Sequence, residues 1–136
     1  MTEGVMDVTV LAPPEASNFD RVFEAVDIVN TVQSYFRLKL EIVKDRDLLA
    51  LKGRRRSPYV LQEKLRRRYP DDLVVACIDE DFEDEFSILE APGCTLISIE
   101  DWNTDEEDVP TMRVYLVYQL TSALVSFAAS LTVAEN

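Results

Sequence analysis

Residues Val114 to Val133 read VYLVYQLTSALVSFAASLTV, twenty residues without a formal charge in a chain where 29% of residues are charged. A stretch like this leaves few arrangements. It can cross a bilayer, which takes about 20 apolar residues, or it can be a helix on which a folded domain packs. Its composition favours packing. Gln119, Thr121, Ser122, Ser126, Ser130 and Thr132 interrupt the apolar residues, and Tyr115 and Tyr118 lie inside the run rather than at an interface. Arg113 is the only basic residue nearby, too little to set a membrane orientation. A membrane span over 114–133 is therefore the lesser alternative. A helix apolar on nearly every side belongs at the centre of a core, with its start expected at Thr111 or around Pro110. Ser122, Ser126 and Ser130 recur every fourth residue and predict close approach by another element.

At 136 residues the chain is expected to be one domain, 1–136, large enough to bury a core without staples. Met6 to Leu11 alternates before Pro13-Pro14 and reads as a first strand. Ser17 with Asp20 resembles a capping box. Phe19, Val22, Phe23, Val26, Val29 and Val32 or Gln33 then follow a helical spacing to about Phe36. Leu38, Leu40 and Ile42 alternate with Arg37, Lys39 and Glu41, as in a half-buried strand at or near a sheet edge. A helical turn is expected around Leu48 to Leu51, ended by Gly53. Ser57-Pro58 starts a helix, Ser as N-cap and Pro at the first position, with Leu61 and Leu65 inward and an end near Tyr69-Pro70. Leu73 to Ile78 is continuously apolar, the pattern of a central strand covered on both faces. Phe86 to Leu89 and Cys94 to Ile99 flank Ala91-Pro92-Gly93 as a hairpin or as consecutive strands. The order β-α-β-loop-α-β-β-β-α defines a single α/β domain: a mixed β-sheet packed with about three helices, the long apolar C-terminal helix central to the core.

Several chemistries are excluded by composition. Histidine is absent, which removes His-based triads, zincin ligation and the usual neutral-pH proton shuttle. Two cysteines, Cys77 and Cys94, cannot form a four-ligand structural zinc site, and both lie in apolar runs that predict buried thiols in a reducing compartment. MTEGVMDVTV has neither a basic segment nor a long apolar one, so the expected location is cytoplasmic. No cofactor is expected.

Charge is divided along the chain. Arg37 to Arg68 holds twelve basic residues against four acidic ones, whereas Tyr69 to Asp108 holds fifteen acidic residues and no basic one; the whole carries −12. That balance makes nucleic acid an improbable partner overall. Arg54, Arg55 and Arg56 precede one helix, and Arg66, Arg67 and Arg68 end it, where they also complement the helix dipole. Asp79, Glu80, Asp81, Glu83, Asp84 and Glu85 follow the central strand, where α/β proteins often bind ligands. Oxygen-rich loops can hold Mg or Ca, but this one lacks the ordering of a calcium loop and no phosphate-cradling Gly motif accompanies it. Complementary blocks of this size suggest a protein partner or self-association, with Arg54, Arg55, Arg56, Arg66, Arg67 and Arg68 on one surface and Asp79, Asp81, Glu83, Asp84 and Glu85 on the other.

From Leu73 onward the chain resembles the catalytic region of zincin-type metallopeptidases, particularly the archaemetzincins. In that family an apolar strand ends in an acidic T-D-x-D-[LF] turn, and strands ending in serine lead into the long active-site helix. Here Val74 to Ile78 runs into Asp79-Glu80-Asp81-Phe82, then Leu96-Ile97-Ser98, then the helix. Laid on the family's H-E-L-G-H signature, Tyr118 and Ser122 stand at the two histidines and Gln119 at the glutamate. The resemblance implies that zinc and the general base have been lost together, leaving a pseudo-peptidase kept for binding. The expected function is a non-catalytic protein-interaction or regulatory domain within a larger assembly. Two alternatives stand beside it: a histidine-free enzyme using the Asp79–Glu85 carboxylates with a divalent metal, or an anion- or nucleic-acid-binding module using the arginine clusters.

Overall fold

Alternating side chains divide the molecule into two cores, one on each face of a five-stranded sheet. The computed structural model describes residues 5–16, 18–45, 48–51, 55–80, 88–100 and 111–135, with side chains to residue 130. Its elements are β1 (Met6–Ala12), α1 (Phe19–Val32), β2 (Phe36–Ile42), α2 (Pro58–Arg68), β3 (Leu73–Ile78), β4 (Ile88–Ala91), β5 (Cys94–Ser98) and α3 (Met112–Glu135). The sheet order is β2-β1-β3-β5-β4. β1 pairs in parallel with β2 and β3, β3 in parallel with β5, and β4 antiparallel with β5. This is a mixed α/β sheet with helices on both faces.

The pleat decides which side chain enters which core. Val8, Val10, Val75, Cys77 and Ile97 face the layer of α1 and α3. Leu11, Val74, Ala76, Ile78, Cys94 and Leu96 face the opposite layer, built from α2 and the segment Leu48–Leu51. A strand apolar on both sides must be covered on both sides, which is why β3, buried from Val74 to Ile78, lies mid-sheet. β2 alternates instead, and it is an edge. The β4–β5 hairpin turns through Pro92-Gly93, where Gly93 takes φ +81, a conformation that favours glycine.

Local signals hold at two helix starts. Ser57 caps α2, its hydroxyl accepting from Val60 N at 3.3 Å, and Pro58 is the first helical residue. Thr111 Oγ1 accepts from Val114 N at 3.3 Å at the start of α3.

Other expectations need correction. Ser17 lies outside the described residues; the N-cap of α1 is Asn18, whose side-chain amide donates instead to Ile99 O at 2.8 Å. α1 stops at Val32 rather than near Phe36, because Gln33 turns back to pair with the backbone of Phe36. Phe23 and Val32 are exposed, and Ala25 takes a buried place on that helix. The turn expected around Leu48 to Leu51 is present at Leu48 and Leu49, and these two with Leu51 are buried in the second core; Gly53 lies outside the described residues. α3 is not enclosed on every side. It contributes Met112, Tyr115, Leu116, Leu120, Ala123, Leu124 and Phe127 to the first core while its opposite face is exposed. Among the described residues no helix is long and apolar enough to cross a membrane.

Candidate interaction surfaces

The outer face of α3 carries Val114, Tyr118, Thr121, Val125 and Ala128, all exposed. Val114 is 58%, Tyr118 70% and Val125 64% accessible. Their spacing of four, three, four and three residues is the 3.5-residue repeat of a coiled-coil seam. It is separate from the buried face, so the helix has two apolar stripes back to back. This explains how it can be apolar nearly all round without being enclosed. Beside the C-terminal half of the seam lies an open apolar groove of about 430 Å³, lined by Met6, Gln33, Tyr35, Phe36, Thr121, Leu124, Val125 and Ala128. No lining residue carries a charge, and Tyr35 on its rim is 77% accessible.

The three positions aligned with the metallopeptidase signature lie within one turn of α3 in three different environments. Tyr118 stands in the exposed seam, Gln119 is 6% accessible beneath the helix, and the Ser122 hydroxyl donates to Glu90 Oε1 at 3.0 Å. The serine stripe is half-buried, and Ser122 ties the helix to edge strand β4.

Polar side chains at the C-terminal end of the sheet hold the backbone together. Tyr115 donates its hydroxyl proton to Ser98 O at 2.8 Å, and Ser98 Oγ donates to Glu80 O at 2.8 Å. With the Asn18–Ile99 bond, these fasten both helices of one layer and the end of β3 to the end of β5. The Glu80 carboxylate accepts from Leu51 N at 2.6 Å. Asp79 is exposed. Asp81, Glu83, Asp84 and Glu85 lie outside the described residues, and among the described residues no group of three or more acidic or cysteine side chains is placed to hold a metal ion.

Arg55 and Arg56 lie before α2 and Arg66 to Arg68 in its last turn, with Pro58 and Arg66 roughly 12 Å apart along the helix axis. Arg54 lies outside the described residues. Arg55 is exposed with φ +51, and Arg56 is committed to the loop, donating to Ala50 O at 2.6 Å and to Leu48 O. At the other end, Arg67 pairs with Glu63 at 2.7 Å, while Arg66 and Arg68 are exposed. Arg66 and Arg67 line an open cleft of about 600 Å³ with Tyr59, Gln62, Tyr69 and Asp72. They sit in the last turn of α2, where the helix dipole attracts cations.

Cys77 and Cys94 are buried on opposite faces of the sheet, so they cannot bridge. Burial pushes both thiols up to about 12; for Cys94 the nearby Arg66 charge opposes the shift in part. Both are poor nucleophiles and poor ligands near neutrality. On the surface, hydrogen bonds from Arg21 and Arg113 hold the Glu24 carboxyl below its ordinary range and link α1 to the start of α3.

Sequence reasoning missed Val114, Val125 and Tyr35 as surface residues, and Asn30, Gln33 and Tyr115 as fasteners. The 3.5-residue spacing of the seam was visible, but the inner stripe of the same helix obscured it.

Compared with protein-family models, with curated proteins and with solved structures, the chain matches none.

Proposed function

We propose that this domain is a non-catalytic protein-interaction or regulatory module that binds through the outer seam of α3. One observation carries the reading: five exposed positions at coiled-coil spacing lie on a helix whose other face is buried in the first core, beside an uncharged groove. Apolar side chains scattered over a surface are ordinary, whereas a contiguous line of them marks a site of association. The order β3, acidic segment, β4, β5 ending at Ser98, then α3 is consistent with a degenerate zincin-like ancestry in which the helix keeps a binding role. The two buried thiols fit a reducing, cytoplasmic setting.

The alternatives have less support. A divalent-metal enzyme needs the Asp79–Glu85 carboxylates to converge, yet the Glu80 carboxylate is engaged by Leu51 N. An anion- or nucleic-acid-binding module needs its arginines together, yet Arg56 is bonded to the loop before α2 while Arg66, Arg67 and Arg68 lie in the last turn of that helix.

Affinity capture from an extract of the native source, with wild type beside Tyr118→Ser and Val125→Ser, tests the proposal. Partners should be retained by wild type and lost by both variants. Equal capture by all three, together with a magnesium-dependent hydrolysis abolished by Asp79→Asn, would replace it with the enzyme reading.

A further inference from the structure

The seam on α3 fits a second copy of the same helix. We infer that the domain self-associates through an antiparallel, two-fold pairing of α3 centred on Thr121, with Tyr118 of each copy seated over the groove of the other. This rests on the interaction reading above and names its partner.

Three observations select that occupant. The first is shape. The N-terminal half of the seam projects its largest side chain, Tyr118, and the C-terminal half holds Val125, Ala128 and the groove bordered by Met6, Tyr35 and Phe36. A two-fold axis beside Thr121 sets Tyr118 against the second copy's Val125, Val114 against its Ala128, and Thr121 against Thr121. Projection and recess lie on one helix and are exchanged by that axis, the self-complementarity that an isologous contact requires.

The second is charge. In paired helices the positions flanking the seam set partner choice through their charges. Here those positions are Tyr115, Val117, Ser122, Leu124 and Ala129, all uncharged. Two copies that each carry −12 therefore meet with no charge on the flanking positions of the helix itself, the Glu90 carboxylate bonded to Ser122 lying beside them.

The third is the partly blocked alternative. Edge strand β2 could have joined copies by strand addition, but along its first half the outward backbone groups of Phe36 and Leu38 are already paired with the side-chain amides of Gln33 and Asn30, which leaves only its second half and the four-residue edge β4 for that mode.

A strip one helix wide is smaller than the roughly 800 Å² per partner of a standard interface. The dimer is accordingly weak, with a dissociation constant of micromolar order or above. Because the contact is apolar and the net charges repel, added salt strengthens it, whereas association through the charge blocks would fade with salt.

Sedimentation equilibrium of the full chain over a wide concentration range, at low and high salt, tests this with two charge variants. Both altered sites are exposed, and circular dichroism verifies folding. Tyr118→Lys alone and Val125→Glu alone should each be monomeric. An equimolar mixture should dimerise, because the antiparallel axis sets each introduced lysine against an introduced glutamate. Parallel pairing cannot produce that rescue. A wild type that stays monomeric at every salt and concentration, or a dimer indifferent to both variants, overturns the inference. If that monomer captures a different protein and Val125→Glu releases it, the second copy is refuted while the interaction reading survives. A monomer that captures nothing ends both.

Discussion

The side chain of Asn30 pairs with both backbone groups of Leu38: its Nδ2 donates to Leu38 O at 2.9 Å, and Leu38 N donates to its Oδ1 at 2.9 Å. A carboxamide carries the same donor and acceptor as a peptide group, so Asn30 stands where a neighbouring strand would. Gln33 repeats the arrangement at Phe36, at 2.8 and 2.9 Å. Two consecutive outward positions of β2 are thereby closed, and the end of α1 is fastened to the strand that follows it.

Asn30→Leu keeps a similar volume but leaves both Leu38 groups without that partner on a half-covered edge. The expected loss is about 1–3 kcal/mol, since each hydrogen bond contributes roughly 0.5–1.5 kcal/mol net. Urea unfolding measures it. An unchanged midpoint would mean that water replaces the amide at no cost.

Thr95 should yield the opposite sign. It is fully buried, and its Oγ1 has no hydrogen-bond partner among the described residues. Thr95→Val replaces the hydroxyl with a methyl of similar shape and removes the desolvation cost of an unsatisfied group, about 1–3 kcal/mol. Thermal unfolding should show a higher midpoint for Thr95→Val and none of that gain for Thr95→Ser. A lower midpoint in Thr95→Val would indicate a partner for the hydroxyl outside the described residues.

Tyr115→Phe removes the donor to Ser98 O and keeps the buried ring. The expected cost is about 1 kcal/mol, read as a shift of the denaturant midpoint with unchanged slope. Hydrogen exchange should quicken first at the end of β5, where Ser98 and Ile99 join α1, β3 and α3. Uniform acceleration across the sheet would assign the hydroxyl no local role.

Thiol chemistry supplies a test with a defined pH window. Burial raises Cys77 and Cys94 from an ordinary 9.0 to about 12. Between those values the unfolded chain has released protons that the folded chain keeps. Stability is therefore fully present below pH 9 and falls as pH rises toward 12. Alkylation should be negligible in the native protein at pH 8 and complete on unfolding. Rapid native labelling would show that the two cysteines are reached by local opening.

How much of this was legible in advance depended on how far apart the interacting groups lie. Ser57-Pro58, the continuous run of β3 and the alternation of β2 act within a few residues through backbone geometry and side-chain period, so the sequence by itself determined the element order, the α/β class and the edge position of β2. It also settled the absence of histidine chemistry. Distant pairings had no such local signal. Whether Asn18 caps its own helix or reaches Ile99, 81 residues away, is decided by what the sheet brings beside it. The face of α3 that is buried is likewise decided by tertiary structure, because a helix with two apolar stripes presents equivalent choices until a sheet covers one of them. Local periodicity fixes what an element is; only packing fixes which of its sides remains for a partner.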